Sequence, residues 1–377
     1  MKTVRKPWYR IPTAVVVALS FVLTGVGNAV HGAPSSALVT VKVGVGPFLD
    51  YQPWYLAHQM GFDKAQGLNL NIQNFTQQQL AISTLHRGDL ALTYSCHECD
   101  FSYVKSVPEL RDWMVTNQFK GFIIVGRKGA LTYSGLVNKV GPKQAKARVV
   151  KSWKGKSFVM VESLRRGLLE AALSSVGLTI NDVKIINFAD DAKAALAFLQ
   201  GTGDYYTGSL PQESKLLFQY ANRFVNVGGT EVLGPAGLWY STMVSQASWL
   251  KNQPNIVYKL LAVWYRTTRY MRVHPQKSFP LITSELNSAA AASFTVKQVI
   301  FLATRLNEFE TLSEAKRTVF NPSSPLYWRL SAAYYAKQST NVLPAGFKVD
   351  TVVVAQQFFN NFLKHTALVK WVNSPLP

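Results

Sequence analysis

Acidic residues are scarce in this chain of 377 residues: 20 Asp+Glu stand against 40 Lys+Arg, a formal net charge of +20. Charged residues total 16%, against roughly 25% in ordinary domains, and the shortfall lies in the acids. Such an excess of cations favours anionic surfaces or solutes. Nucleic acid is the first candidate, but zinc-finger spacing, basic-region heptads and an aromatic RNP-like strand motif are all missing. Few carboxylates also suit acidic surroundings, where little would be left ionised to hold a fold together. Cysteine is rarer still, with two residues, Cys96 and Cys99. There is no Gly-x-Ser-x-Gly elbow, no Walker loop and no His-Glu-x-x-His, and the six histidines are scattered, so no acid–base pair stands out. What is present is apolar material: 48% hydrophobic and 12% aromatic residues exclude a disordered or fibrous chain.

Lys2, Arg5, Lys6 and Arg10 precede an apolar run over 14–26, and small residues follow up to Ala37. That order predicts a secretory signal peptide over 1–37 and an extracytoplasmic or periplasmic mature protein. Ser20, Thr24 and Gly25 interrupt the run, which is shorter than the roughly 20 residues a membrane span needs. The remaining residues, about 340, suit two lobes.

Residues 39–45 alternate as a strand, Pro53 opens a helix that Gly61 ends, and 68–72, 77–86 and 90–94 read as strand, helix and strand. The same order returns over 157–161, 164–176, 183–187, 192–200 and 205–207. In both units a helix runs into a Gly-Asp turn before the third strand, Gly88-Asp89 and Gly203-Asp204. Parallel strands joined by helices require a sheet covered on both faces, the doubly wound α/β class. A strand over 122–126 precedes a stretch, 127–156, with nine Lys/Arg and no acid, which reads as a charged surface connector. A return strand over 238–244 leads to helices over 256–273, 296–306, 326–338 and 352–364.

With the stretches Tyr55-Leu56-Ala57-His58-Gln59-Met60-Gly61-Phe62-Asp63-Lys64-Ala65-Gln66-Gly67-Leu68, Gly88-Asp89-Leu90-Ala91, Trp153-Lys154-Gly155-Lys156 and Gly203-Asp204-Tyr205-Tyr206-Thr207-Gly208, this layout resembles the periplasmic solute-binding proteins of ABC importers. The resemblance is to the nitrate, sulfonate and taurine group, whose fold thiamine-pyrimidine-precursor binders share. It implies two doubly wound lobes joined by a two-strand hinge, a second unit inserted into the first, and a helical C-terminal tail packed on lobe one. The expected organisation is signal peptide 1–37, lobe one 38–126, basic connector 127–156, lobe two 157–244 and a return to lobe one over 245–377.

In an open α/β sheet ligands sit beyond the carboxyl ends of the strands, where helix N-termini favour anions. Four segments qualify: 46–52, 94–98, 162–163 and 208–212. Phe48, Tyr51, Gln52, Trp54, Tyr94 and Ser95 offer an aromatic wall and hydrogen bonds, with interlobe packing as the competing role. Ser163, at a helix start, can cap the helix or hold an anion. Arg165 and Arg166 cannot both face one site, being a single helical step apart. Gly208 and Ser209 complete the candidates. Glu162 repels an anion and suits an amine, which keeps a zwitterion open. Cys96 and Cys99, spaced C-x-x-C in an exported chain, suit a disulfide; free thiols, and after them a redox pair or a metal site, are the alternatives.

The expected function is capture of a small anionic or polar organic solute, such as a sulfonate, taurine or nitrate, in an interlobe cleft and its delivery to an ABC permease. No cofactor, no catalysis and no nucleic-acid partner is expected. The rivals are a basic envelope protein that touches membrane lipid or a polyanion through 127–156, and an enzyme resembling the thiamine-pyrimidine synthases.

Overall fold

The computed structural model describes residues 37–339 and 342–377; the expected signal peptide lies outside them except for its final residue. Among the described residues no helix is long and apolar enough to cross a membrane.

Residues 38–377 form one unit built on two sheets. The first contains β1 (Val39–Val45), β2 (Leu68–Asn74), β3 (Leu92–Cys96), β4 (Leu110–Phe119), β10 (Trp239–Gln246) and β11 (Asn307–Glu308), in the order β11-β4-β10-β3-β1-β2. The second contains β5 (Ile124–Arg127), β6 (Ser157–Met160), β7 (Lys184–Asn187), β8 (Tyr205–Tyr206) and β9 (Phe224–Gly228), in the order β7-β6-β8-β5-β9. Each sheet has a parallel trio, β2-β1-β3 or β7-β6-β8, extended on one side by antiparallel strands. The repeated strand–helix order of the sequence is this repeated trio.

Two connections link the sheets. β4 leaves the first and β5 opens the second; β9 ends the second and β10 returns between β3 and β4. This is the two-strand hinge with an inserted second lobe. Helices α1 (Pro53–Gln59) and α2 (Gln78–His86) flank the first trio, and α3 (His97–Tyr103) follows β3 directly. In lobe two, α6 (Glu162–Ser174), α7 (Asp191–Leu199) and α8 (Leu210–Gln219) do the same after α4 (Tyr133–Val140) and α5 (Pro142–Lys151). The C-terminal helices pack on lobe one: Trp264 of Pro254–Val273 meets Trp54 at 5.0 Å between rings, and Tyr270 of the same helix stands edge-on to Phe62 at 5.7 Å.

The 127–156 segment is more than a connector. It folds into α4 and α5, joined at Gly141 (φ +77°), and buries Ala145, Val149, Val150 and Trp153. Apolar positions at helical spacing among the cations bring one side of α5 into the core and leave the lysines outside.

Candidate functional site

The carboxyl ends of β1 and β3 mark the point in lobe one where strand order reverses, and β6 and β8 mark it in lobe two. Loops diverging from such a point leave a crevice. The two crevices face each other across one cavity of about 50 Å³, lined by Phe48, Asp50, Tyr51, Tyr94, Ser95 and the Cys96–Cys99 loop from lobe one, Leu164, Arg165, Ser209 and Leu210 from lobe two, and Phe119, Phe122 and Trp239 from the hinge. One water needs roughly 10–15 Å³ on this measure. The cavity therefore suits a ligand of few atoms.

The lobe-one wall is aromatic and tightly tied. Phe48 stands edge-on to Tyr94 at 5.8 Å, and Tyr51 lies 5.4 Å from Tyr94. Tyr51 donates its hydroxyl to the Ser95 carbonyl at 2.7 Å, and Tyr94 donates to the Phe75 carbonyl at 3.1 Å. Ser95 Oγ accepts from Gln78 Nε2 at 3.1 Å and donates to Asp100. Burial pushes both tyrosines above the ordinary range, so they act as neutral hydroxyls.

Two further residues expected here, Gln52 and Trp54, do not line the cavity. Gln52 is fully buried and donates Nε2 to the Phe48 carbonyl at 3.0 Å, while Trp54 packs on Trp264. Both sit where Pro53 starts α1, and that turn sends them into the core. In this structure both are buried core positions and not cavity walls.

Arg165 is the cation of the site. It is 5% exposed, its guanidinium lying 4.6 Å over the Phe122 ring and 5.6 Å over Trp239. Its Nε donates to the Gly208 carbonyl at 3.2 Å and Nη1 to the Leu164 carbonyl at 3.2 Å. Arg166 points away and pairs with Glu170 at 2.8 Å and with Glu162, which takes Glu162 out of the cavity. Ser163 is exposed, makes no cap bond, and lines a neighbouring groove with Asn187 and Phe188. Gly208 holds a crowded turn: its N–H donates to Glu213 Oε1 at 3.0 Å, and a Cβ there would lie 1.8 Å from the Tyr206 hydroxyl. Ser209 lines the cavity one residue on.

Asp50 was not singled out by sequence, although it lies inside the loop that was. Its Oδ1 accepts from Asn117 Nδ2 at 3.0 Å and from Ser241 Oγ, and burial raises its carboxyl above the ordinary value. Asn117 and Ser241 come from the hinge strands β4 and β10. The signal available in the sequence was an acid beside Tyr51 in a post-strand loop, in a chain with few acids.

Cys96 and Cys99 are joined by a disulfide at the mouth of α3. Between them Glu98 reaches lobe two: a Cβ on Gly167 of α6 would come within 2.1 Å of its Oε1. Burial pushes Glu98 up to about 8, opposed by Arg165. Behind this loop His97 Nδ1 meets Asp112 at 2.6 Å, and Asp100 joins them so that three ligating atoms lie within 4.8 Å of one another. Burial raises both carboxyls well above their usual range and holds His97 down to about 4. A shared proton or a cation would each complete this cluster.

Residues 124–278 match the family model described as NMT1/THI5 like. No curated protein matches the chain. Among solved structures, the alkanesulfonate-binding protein SsuA from Xanthomonas axonopodis pv. citri, bound to MOPS, aligns at 15% identity over 84% of this chain and 98% of that one, with a TM-score of 0.61. The periplasmic nitrate-binding protein NrtA from Synechocystis PCC 6803 aligns at 12% identity over 89% and 91%, with a TM-score of 0.62. The desulfurization enzyme DSZB aligns at 14% identity over 87% and 99%, with a TM-score of 0.54. At these identities the likeness is one of fold: the two-lobed architecture expected from the sequence is that of periplasmic binding proteins. The fold carries binders and at least one enzyme, so function is argued from the site.

Proposed function

We propose that the chain is an extracytoplasmic solute-binding protein that captures a small organic anion, a sulfonate in the first instance, between its lobes and delivers it to an ABC permease. The observation that carries this reading is the opposition of Arg165, on lobe two, to Asp50, anchored by the hinge, across one small aromatic cavity. Arg165 keeps its guanidinium fixed on two rings and suits a sulfonate or carboxylate. Asp50 adds an acceptor for an amine, so an aminated anion such as taurine fits both ends. A solute touching both lobes binds the closed form preferentially and shifts the population toward it. Both charged groups are anchored to the scaffold, which favours holding a ligand over moving a proton.

Native mass spectrometry of freshly purified protein should reveal a co-purifying small molecule. In a thermal-shift comparison, taurine and ethanesulfonate are expected to raise the Tm and taurine the more; a ligand at a hundredfold excess over its Kd adds about 2.7 kcal/mol. A flat response to taurine, ethanesulfonate and nitrate, with no co-purifying solute, overturns the reading.

A further inference from the structure

We infer that the α4–α5 face of lobe two is a docking surface for anionic lipid headgroups, independent of the solute cavity. Residues 127–156 concentrate nine Lys/Arg without a single acid, and the fold turns this stretch into two consecutive helices joined at Gly141. At 100° per residue, Lys143, Lys151 and Arg148 of α5 fall within an arc of about 140°, opposite the buried Ala145 and Val149 and bordered on the Lys143 side by the buried Val150. Lys139, in the last turn of α4, is also exposed. Among the described residues these four cations make no salt bridge, and the acidic partners found near this stretch, Asp182 and Asp204, pair with Lys154 and Lys156 instead. Their charge is uncompensated within the protein.

The chemistry selects a flat, laterally adaptable anion array over a discrete pocket ligand. The cations are spread over two helices, three of them around an arc of α5 and one at the end of α4. Leu131, 38% exposed, precedes α4, and α4 has no fully buried residue. An exposed leucine next to a helix with an open outer side fits the boundary between headgroups and acyl chains, as at interfacial helices. Juxtaposed lysines and arginines each add to attraction toward an anionic leaflet, within a Debye length of about 8 Å at physiological salt.

The test is co-sedimentation of the protein with phosphatidylcholine vesicles, with and without phosphatidylglycerol, at about 0.15 M salt. Wild type is expected to bind only the phosphatidylglycerol vesicles and to release at high salt. The variant carrying Lys139→Gln, Lys143→Gln, Arg148→Gln and Lys151→Gln should bind at least about tenfold more weakly with its Tm unchanged. A control with the same charge loss elsewhere, Lys297→Gln, Lys316→Gln, Lys337→Gln and Lys370→Gln, all exposed positions, should bind as wild type. Equal loss in both variants assigns the effect to net charge alone and overturns the proposal, as does an absence of wild-type binding to phosphatidylglycerol.

Discussion

Arg165 and Asp50 divide the recognition of a solute between them, and their substitutions should separate. Arg165→Gln removes the guanidinium for any anion, so affinity for taurine and ethanesulfonate should fall alike, by roughly 10–100-fold from a charged hydrogen bond worth about 1.5–3 kcal/mol. Asp50→Asn should weaken taurine and leave ethanesulfonate nearly unchanged, because only the amine uses the carboxylate. Isothermal titration with the two ligands decides it; equal loss of both in Asp50→Asn removes the amine role. The sequence made Arg165 visible by placing adjacent arginines at a helix start, where geometry admits one. It hid Asp50, whose role depends on Asn117 and Ser241, residues 67 and 191 positions away. Long-range partners of that kind leave no local pattern. Gln52 and Trp54 misled for the opposite reason: they have binding chemistry, yet the Pro53 turn directs them inward.

At the scale of elements, the two parallel trios were readable because each strand and helix keeps its own hydrophobic period. β4 was not. Nine of its ten residues are buried, but they include Asp112, Thr116, Asn117 and Gln118; three of these take a side-chain partner from another element, Asp112 from His97, Asn117 from Asp50 and Gln118 by donating to the Tyr240 hydroxyl at 3.0 Å, while Thr116 donates to its neighbour Asn117. A hinge strand touching both the core and the site cannot show clean alternation. The basic α4–α5 pair was masked in the same way, its short apolar stripe lost among lysines. The contact between α3 and α6 is where lobe one meets lobe two beside the cavity, and it makes a sharp prediction. Gly167→Ala should favour the helix by up to about 1 kcal/mol, yet its Cβ must displace Glu98 from the interlobe contact. Tm should therefore hold or rise while ligand affinity drops severalfold, because the closed form is penalised. Unchanged affinity would mean that Glu98 moves aside freely and the contact plays no part in closure.

For the molecule as a whole, the shortage of acids and the burial of several of those present act in one direction. Glu98 and Glu310 are pushed up to about 8 by burial, and Asp50, Asp100, Asp112 and Glu213 are raised for the same leading reason. A carboxyl whose folded pKa exceeds its unfolded value binds its proton more tightly in the native state. Its contribution is complete below about pH 4 and is lost as pH climbs through the folded value, near 8 for the two glutamates. His97 runs against this: held down to about 4, it contributes above its unfolded pKa of about 6.5 and loses that contribution as pH falls toward 4. Asp182 and Asp204 are held below the ordinary carboxylate value by hydrogen bonds, and their contribution is lost only below about pH 4. Between pH 5.5 and 8.5 the six raised carboxyls oppose one depressed imidazole and favour the acid side of neutrality, even though a chain already at +20 gains further self-repulsion there. Melting curves should show a higher Tm near pH 5.5 than near pH 8.5, and the double variant Glu98→Gln, Glu310→Gln should flatten the alkaline limb by removing two of the protons at stake. A Tm that declines steadily from neutrality to pH 5.5 would mean that surface repulsion and His97 outweigh the buried acids, and that the carboxylate-poor composition is no adaptation to acidic surroundings.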